Sequence, residues 1–376
     1  MSVSQFGLSD PGMRARYDAL FDACESAFIQ QSTSWAEIIQ NLGPDEPIFL
    51  LCTRDGVDLA GLPLYLYRHP LGNVLNSVPQ AGPLGGIFAR AGLAEDLIEG
   101  AYRELVSAAE ALARGHDCLS FTLISNPFSP DTDRYGRYFH PTYVLTNFAQ
   151  YTPVPEIAPE VRVMLQDSHR RNNLARNLRR AEQAGVVLES AATSSPLDEW
   201  YEIHLRRHRE LGVAPLPRAL FSGILDTLGP RGKAELLLAR LEGKVISGCM
   251  YIRHRAIQDV FLLAMDSSCA RFSPNYLITD HSIRRAAASG VRIYNWQSSP
   301  DRQGGVYRYK EQWGAREASY SFLTLLLCPT ERIARLGPDV LRKAYSGHFV
   351  VPYGVFTEGF DRRTFKKADA ARNPST

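Results

Sequence analysis

The sequence predicts an α+β protein with mixed sheets, flanking helices and two similar units in tandem. Three observations lead there: a length of 376 residues, a hairpin pattern that occurs twice, and a helix-then-strand pattern after each hairpin. The length is about two to three times that of an ordinary domain. With 45% hydrophobic and 22% charged residues the chain can fill sizeable cores, which excludes collagen-like, low-complexity and wholly disordered classes.

The first hairpin runs through Phe49-Leu-Leu-Cys-Thr-Arg-Asp55-Gly56 and returns through Val57-Asp-Leu-Ala-Gly61-Leu-Pro-Leu-Tyr-Leu-Tyr67. The second runs through Leu236-Leu-Leu-Ala-Arg-Leu-Glu242-Gly243 and returns through Lys244-Val-Ile-Ser-Gly248-Cys-Met-Tyr-Ile-Arg253. An acidic residue followed by Gly between apolar runs marks a hairpin turn, because glycine reaches the positive φ that the turn requires. Gly61 and Gly248 stand equally far beyond their turn glycines. An interior strand glycine signals a bulge or a close backbone approach, here at matching places. The pair reads as a duplication.

Beyond the first hairpin, the apolar periodicity from Ala94 to Arg114 predicts a helix ended by Gly115, and residues 118–124 a strand. Beyond the second, residues 259–264 predict a strand. Pro274-Asn275 then opens a helix with apolar Leu277, Ile278, Ile283, Ala286 and Ala287, and Gly290 caps it. Residues 291–296 and 319–327 are the strands that follow. The expected boundaries are an N-terminal domain at 1–152, a C-terminal domain at 153–328, and an extension at 329–376 that packs back on the first domain and ends in mobile residues. Pro153, Pro155 and Pro159 mark the junction, and the strand before them fits either sheet.

No apolar run reaches the ~18 residues of a membrane span, and the first residues lack a secretory apolar stretch, so a cytoplasmic protein is expected. The six cysteines show no Cys-x-x-Cys spacing, which points to reduced, mostly buried thiols rather than a disulfide scaffold or zinc ribbon. A net charge of +2 does not make the whole surface a nucleic-acid binder but leaves room for a local basic patch.

The chain contains no phosphate loop, no Gly-x-Ser-x-Gly elbow and no Gly-x-Gly-x-x-Gly. His204 and His208 are spaced for one helix face, but Leu205 stands where a zinc protease has Glu, so a surface pair is the expectation and no metal is assigned. Arg209-Glu-Leu-Gly212-Val-Ala214 fits a coenzyme A pyrophosphate pattern by letter. It lies at a helix end before Pro215 and Pro217, whereas the pattern needs a helix N-terminus facing the phosphates, and it is set aside.

Two constellations carry chemistry. Ser168-His-Arg170-Arg171-Asn-Asn-Leu-Ala-Arg176-Asn-Leu-Arg179-Arg180 holds five arginines and no acid, on a helix whose apolar stripe is Met164, Leu165, Leu174, Leu178 and Ala181. Arginine suits paired donation to phosphates, and the plainer reading is a solvated basic face docked by its leucines. The second is Gln297-Ser-Ser299-Pro-Asp-Arg302-Gln-Gly304-Gly305-Val-Tyr307-Arg308-Tyr309-Lys310-Glu-Gln-Trp313-Gly314. A lysine between Tyr309 and Trp313 can stay charged and stabilise an oxyanion or a phosphate, or simply lie along aromatic surface.

At these residues the chain resembles the Fem-type aminoacyltransferases and the broader FemAB-like, CelD-like acyltransferases of the GNAT superfamily. The resemblance spans roughly residues 30–327. It rests on the arginine helix followed by Ala184-Gly185-Val186, on Val245-Ile-Ser-Gly248, on Ser273-Pro-Asn275-Tyr276-Leu277, and above all on the segment from Ser299 to Gly314. It implies two tandem GNAT-like domains and an amide formed when an amine attacks an activated acyl group. The donor is an aminoacyl-tRNA or an acyl-CoA, no cofactor is bound permanently, and the acceptor is an amine on a small molecule, natural product or cell-envelope component.

Carried over, Lys310 takes the signature lysine that stabilises charge at the acyl ester, and Arg171 or Arg176 contacts an anionic substrate. Asn275, Tyr276, Gln297, Ser299, Tyr307, Arg308, Tyr309 and Trp313 surround the substrate. Tyr309 stands where the family usually has Phe, no well-placed coenzyme A motif is found, and the coiled-coil insertion of some members is missing. The donor therefore stays open. So does the proton acceptor, among water, Asp266, Tyr276 and Tyr307. A non-catalytic ligand-binding protein on the same scaffold is the alternative.

Overall fold

The structure is a computed structural model that describes residues 1–78, 82, 84–154 and 168–357, without the side chains of Ser168 and Arg171. Pro155, Pro159, Met164, Leu165 and the tail 358–376, all used in the sequence reading, lie outside the described residues.

In chain order the first elements are β1 (Ser2–Phe6), α1 (Pro11–Ala23), α2 (Thr33–Gln40), β2 (Asp45–Arg54), β3 (Val57–Tyr67), β4 (Asn73–Asn76), β5 (Phe88–Ala89), α3 (Glu95–Gly115), β6 (Cys118–Ile124), α4 (Asp131–Tyr138) and β7 (Tyr143–Pro153). There follow α5 (Ser168–Gln183), β8 (Val187–Ala191), α6 (Leu197–Leu211), α7 (Arg218–Leu228), β9 (Ala234–Leu241), β10 (Lys244–His254), β11 (Ile257–Met265), α8 (Pro274–Ala288), β12 (Ile293–Asn295), α9 (Gly305–Gln312), β13 (Arg316–Leu326) and α10 (Thr330–Ala344). The chain divides into two compact units, residues 1–148 with 319–376, and residues 149–318.

In the first unit β1 to β4 run antiparallel, α3 crosses over, β6 joins β4 in parallel and β13 joins β6 antiparallel. In the second, β8 to β11 run antiparallel, α8 crosses over, β12 joins β11 in parallel, and Tyr151 to Pro153 of β7 pair with β12. A crossover helix is what lets a parallel strand follow an antiparallel meander. The result is the α+β class with mixed sheets that the two hairpins predict.

The hairpins match in detail. Asp55 and Gly56 have φ of 51° and 78°, and Glu242 and Gly243 have 51° and 81°, the doubly positive pattern of a tight two-residue turn. Each hairpin then carries a bulge at the same step, where Leu59 and Ile246 are left over in the register. Gly61 follows one bulge and Gly248 the other. A Cβ on Gly61 would meet the Phe88 ring at 2.6 Å and the Tyr17 ring at 2.8 Å, and one on Gly248 would meet Trp200 at 2.5 Å and Leu238 at 2.8 Å. Tyr17 lies on α1 and Trp200 on α6, the helices that precede the two hairpins. Trp200 also donates its indole N–H to the Gly248 carbonyl at 2.9 Å. Glycine is thus required at both places so that a helix aromatic can lie on the strand backbone.

The cores follow from periodicity. Ala101, Leu105, Val106, Ala109 and Ala113 form the buried face of α3 against Leu62, Leu64, Phe121 and Leu123. Ile333, Leu341 and Tyr345 of the C-terminal segment pack with Val74, Leu119 and Tyr143. In the second unit Leu174 and Ala181 of α5 join Ile278, Ile283, Tyr294, Trp296 and Trp313 in one cluster. Cys24, Cys52, Cys118 and Cys249 are buried, and Cys269 and Cys328 are partly so. Among the described residues no helix is long and apolar enough to cross a membrane.

Candidate active site

Lys310 sits on α9, a short helix entered from Gly304 in extended conformation and closed at Trp313. Only 6% exposed, it donates from Nζ to the carbonyl of Ser298 at 2.9 Å and of Gln297 at 3.2 Å. Both are main-chain acceptors, and no carboxylate is among its hydrogen-bond partners in the described residues. Burial pulls the ammonium down to about 7, since a charge taken out of water and left without a counter-ion favours its neutral form.

The backbone that receives Lys310 is unusual. Gln297 has φ of 62°, a left-handed conformation that costs a non-glycine residue about 1–3 kcal/mol and persists only where its surroundings enforce it. Asn295 enforces it, accepting the Gln297 N–H on Oδ1 at 3.1 Å, and its Nδ2 donates to buried Asp259. The Gln297 carbonyl also accepts the Gln150 N–H at 3.1 Å. Gln150, buried on β7, takes the Ser299 hydroxyl at 2.6 Å and donates to the Tyr307 carbonyl at 3.4 Å. Loop and helix are therefore tied at three points to one glutamine. The Gln297 Nε2 is buried with no partner among the described residues, a donor beside the lysine.

Aromatic rings close the other side. Tyr309 donates to the Asn275 carbonyl at 3.0 Å and shares a hydrogen bond with Thr279 at 2.9 Å, while the Asn275 side chain accepts from Ser247. Burial raises the Tyr309 phenol far above its ordinary range. Trp313 is fully buried, edge-on to Tyr309, and its carbonyl accepts from Thr152, which in turn accepts the Trp296 indole N–H. Tyr307 donates to Glu317 at 2.9 Å, and Arg302 holds the same carboxylate through two bonds. Burial, then Glu317, pushes the Tyr307 phenol up to about 12. The Arg308 side chain is exposed.

The arginine helix meets α9 through its amides. Arg170 donates to the Glu311 carbonyl at 3.0 Å, and Asn173 and Tyr276 both donate to the Gln312 side chain, at 2.9 and 3.0 Å. Arg176 is exposed and turned onto Asn173, and Arg179 and Arg180 are exposed beside it. The Arg171 side chain lies outside the described residues. Asp266 caps the turn before α8, bonds Arg206 at 3.0 Å, and is held below the usual carboxylate range chiefly by the Ser268 hydroxyl. Residues 209–214 end α6, with Gly212 as its left-handed cap, so carbonyls rather than N–H groups point out there. His204 accepts the Leu216 N–H at 3.1 Å, and burial followed by His208 lowers its pKa to about 4.

The fold thus gathers Lys310, Gln297, Ser299 and the Tyr307 backbone around Gln150, and Asn275, Tyr276, Tyr309 and Trp313 around the far end of α9. Arg176 and Arg308 stand at the surface. Gln150, Thr152, Asn295, Asp259 and Glu317 were missed from the sequence. Asn295, just before the loop, and Glu317, just after α9, lie next to the signature segment; Gln150, Thr152 and Asp259 come from strands distant along the chain.

Residues 168–311 match the family described as acetyltransferase (GNAT) domain. No curated protein matches the sequence. FemX is similar in structure, with a TM-score of 0.63 at 14% identity over 85% of this chain and 97% of that one. So are a conserved protein of unknown function from Bacteroides thetaiotaomicron, at 0.54 and 9% identity over 86% and 100%, and L-PGS from Bacillus licheniformis, at 0.52 and 12% over 87% and 96%. Residues 168–311 of the second unit thus match a GNAT acetyltransferase domain, and the fold is shared with FemX.

Proposed function

We propose that the chain forms an amide by moving an acyl or aminoacyl group from an activated donor to an amine, with Lys310 at the reacting carbonyl. The observation that carries this reading is a buried lysine whose two known partners are main-chain carbonyls. An ammonium has three N–H donors, so one remains for an oxygen that gains charge as the amine attacks. Asn295 and Gln150 position it by holding the loop that accepts the other two. The Gln297 amide supplies a further donor. Asp266 is tied to Arg206 and Tyr307 to Glu317, so the acceptor's proton leaves through water in this scheme.

Aminoacyl-tRNA is the donor the geometry favours over acyl-CoA. The turn before α8, where a pyrophosphate would meet the helix N-terminus, carries the Asp266 carboxylate, whereas α5 offers exposed Arg176, Arg179 and Arg180 beside Tyr276 and Gln312. An aminoacyl-tRNA complex should weaken steeply with salt, and replacing the three arginines should flatten that slope. Saturable stabilisation by acyl-CoA that persists at high salt would instead assign the coenzyme A donor. Lys310→Ala with turnover intact would sink the assigned role.

A second reading comes from the lowered pKa. A neutral Lys310 gives both N–H bonds to the carbonyls and keeps a lone pair for the amine's proton. The pH profile separates the two.

A further inference from the structure

A cavity of about 110 Å³ opens in the second unit, lined among others by Lys233, Glu235, Tyr251, Arg253, Gln258 and Arg285. It lies where β9 begins, β10 ends and β11 begins. Because β11 and β12 are parallel from Ile257 opposite Ile293, this is the end of the strands away from Gln297 and Lys310. The cavity is therefore separate from the site above.

Its chemistry is one-sided. Among the described residues Lys233, Arg253, Arg285 and one carboxylate line it, and that carboxylate is committed: Glu235 is bonded by Arg285 and by the Ser190 hydroxyl. Arg253 bonds the Gly232 carbonyl through Nε, has no carboxylate partner among the described residues, and lines the cavity. The inner wall is polar and at least nine-tenths buried. Gln258 donates to Ser282 at 2.8 Å, and Tyr251 accepts from Tyr294 at 3.2 Å. Apolar cavities stay empty, whereas one walled by buried amide and hydroxyl groups with surplus positive charge takes water or an anion.

We infer that this cavity binds a small oxyanion, a phosphate group, with Arg253 and Lys233 at its mouth and the Gln258 and Tyr251 wall at its back. The planar guanidinium of Arg253 matches two phosphate oxygens, and Lys233 adds a point charge. The phosphate can come as the free ion or as the monoester of a nucleotide.

The test uses the full chain in phosphate-free buffer, titrated calorimetrically with inorganic phosphate, sodium chloride at matched ionic strength, adenosine 3′-monophosphate and adenosine. Saturable binding of phosphate is expected, weakened about tenfold by Arg253→Ala and less by Arg253→Lys, and unchanged by Lys310→Ala. Tighter binding of the nucleotide, with none of adenosine, would name the monoester as the source; phosphate bound as tightly as the nucleotide would name the free ion. Either supports the site. Should Arg253→Ala fail to fold, Lys233→Ala is the second variant, with the same loss expected. Heat no greater than with chloride, wild-type affinity in both the Arg253 and the Lys233 variants, or affinity lost in Lys310→Ala would overturn the inference.

Discussion

Lys310 and Gly136 hold the same place in the two halves of the chain. Each is the sixth residue of an eight-residue helix, α9 and α4, reached by a loop from the strand that follows the crossover helix. Each follows a tyrosine whose hydroxyl is bonded to main chain, Tyr309 to the Asn275 carbonyl and Tyr135 to the Ile87 N–H, and each helix is followed by a buried aromatic, Trp313 or Phe139. What the copies share is scaffold. What differs is the lysine, and a Cβ on Gly136 would meet nothing within 4 Å.

Lys310→Gly is accordingly expected to lower turnover about 10²–10³-fold, the usual loss when one oxyanion donor is removed. Gly136→Lys should leave both turnover and melting temperature close to wild type. Steady-state rates of the two variants with the true donor and acceptor check this. Equal losses in both would contradict the division of roles.

If the charged form of Lys310 meets the oxyanion, as proposed, the rate should fall as pH rises through about 7, the range to which burial brings its titration. A rate that rises through the same pH would assign the neutral amine as base. Competitive labelling of Lys310 against pH measures the same ionisation without substrate.

Stability has its own pH signature. The folded chain holds the Lys310 proton less tightly than the unfolded chain, so between about pH 7 and the ordinary lysine range the unfolded state carries more protons and stability rises with pH. The cost is fully present below pH 7. Lys310→Met should therefore be more stable than wild type at about pH 6, by on the order of 1–3 kcal/mol, with the gain shrinking toward about pH 10. Denaturant melts at the two pH values decide.

Gly61→Ala and Gly248→Ala should each cost about 1–3 kcal/mol, since the added methyl runs into rings packed on the strand in both hairpins. A cost at one position alone would show that the two bulges are not equivalent. Thermal unfolding of the two variants is sufficient.

Tyr309→Phe removes the hydroxyl bonded to Asn275 and Thr279 and should cost about 1 kcal/mol while keeping most turnover, because that hydroxyl serves the scaffold. Asn295→Ala should do the reverse in emphasis. It frees the left-handed turn at Gln297, so kcat should drop more than KM changes and the pH midpoint of the rate should move.

Local patterns carried much of the architecture. Asp55-Gly56 and Glu242-Gly243 dictate their turns because the required positive φ depends on two adjacent residues, and the α3 face follows from spacing along one helix. The same locality made Lys310 and its aromatic neighbours visible as one segment. Tertiary structure alone decided what Lys310 touches. Its loop is held by Gln150 from β7 and, through Asn295, by Asp259 from β11, and such partners are joined by strand pairing rather than by spacing in the chain. It also decided the lysine's charge state. A pKa near 7 depends on water being excluded by the surrounding fold, and the residues that exclude it are gathered only when the chain has packed.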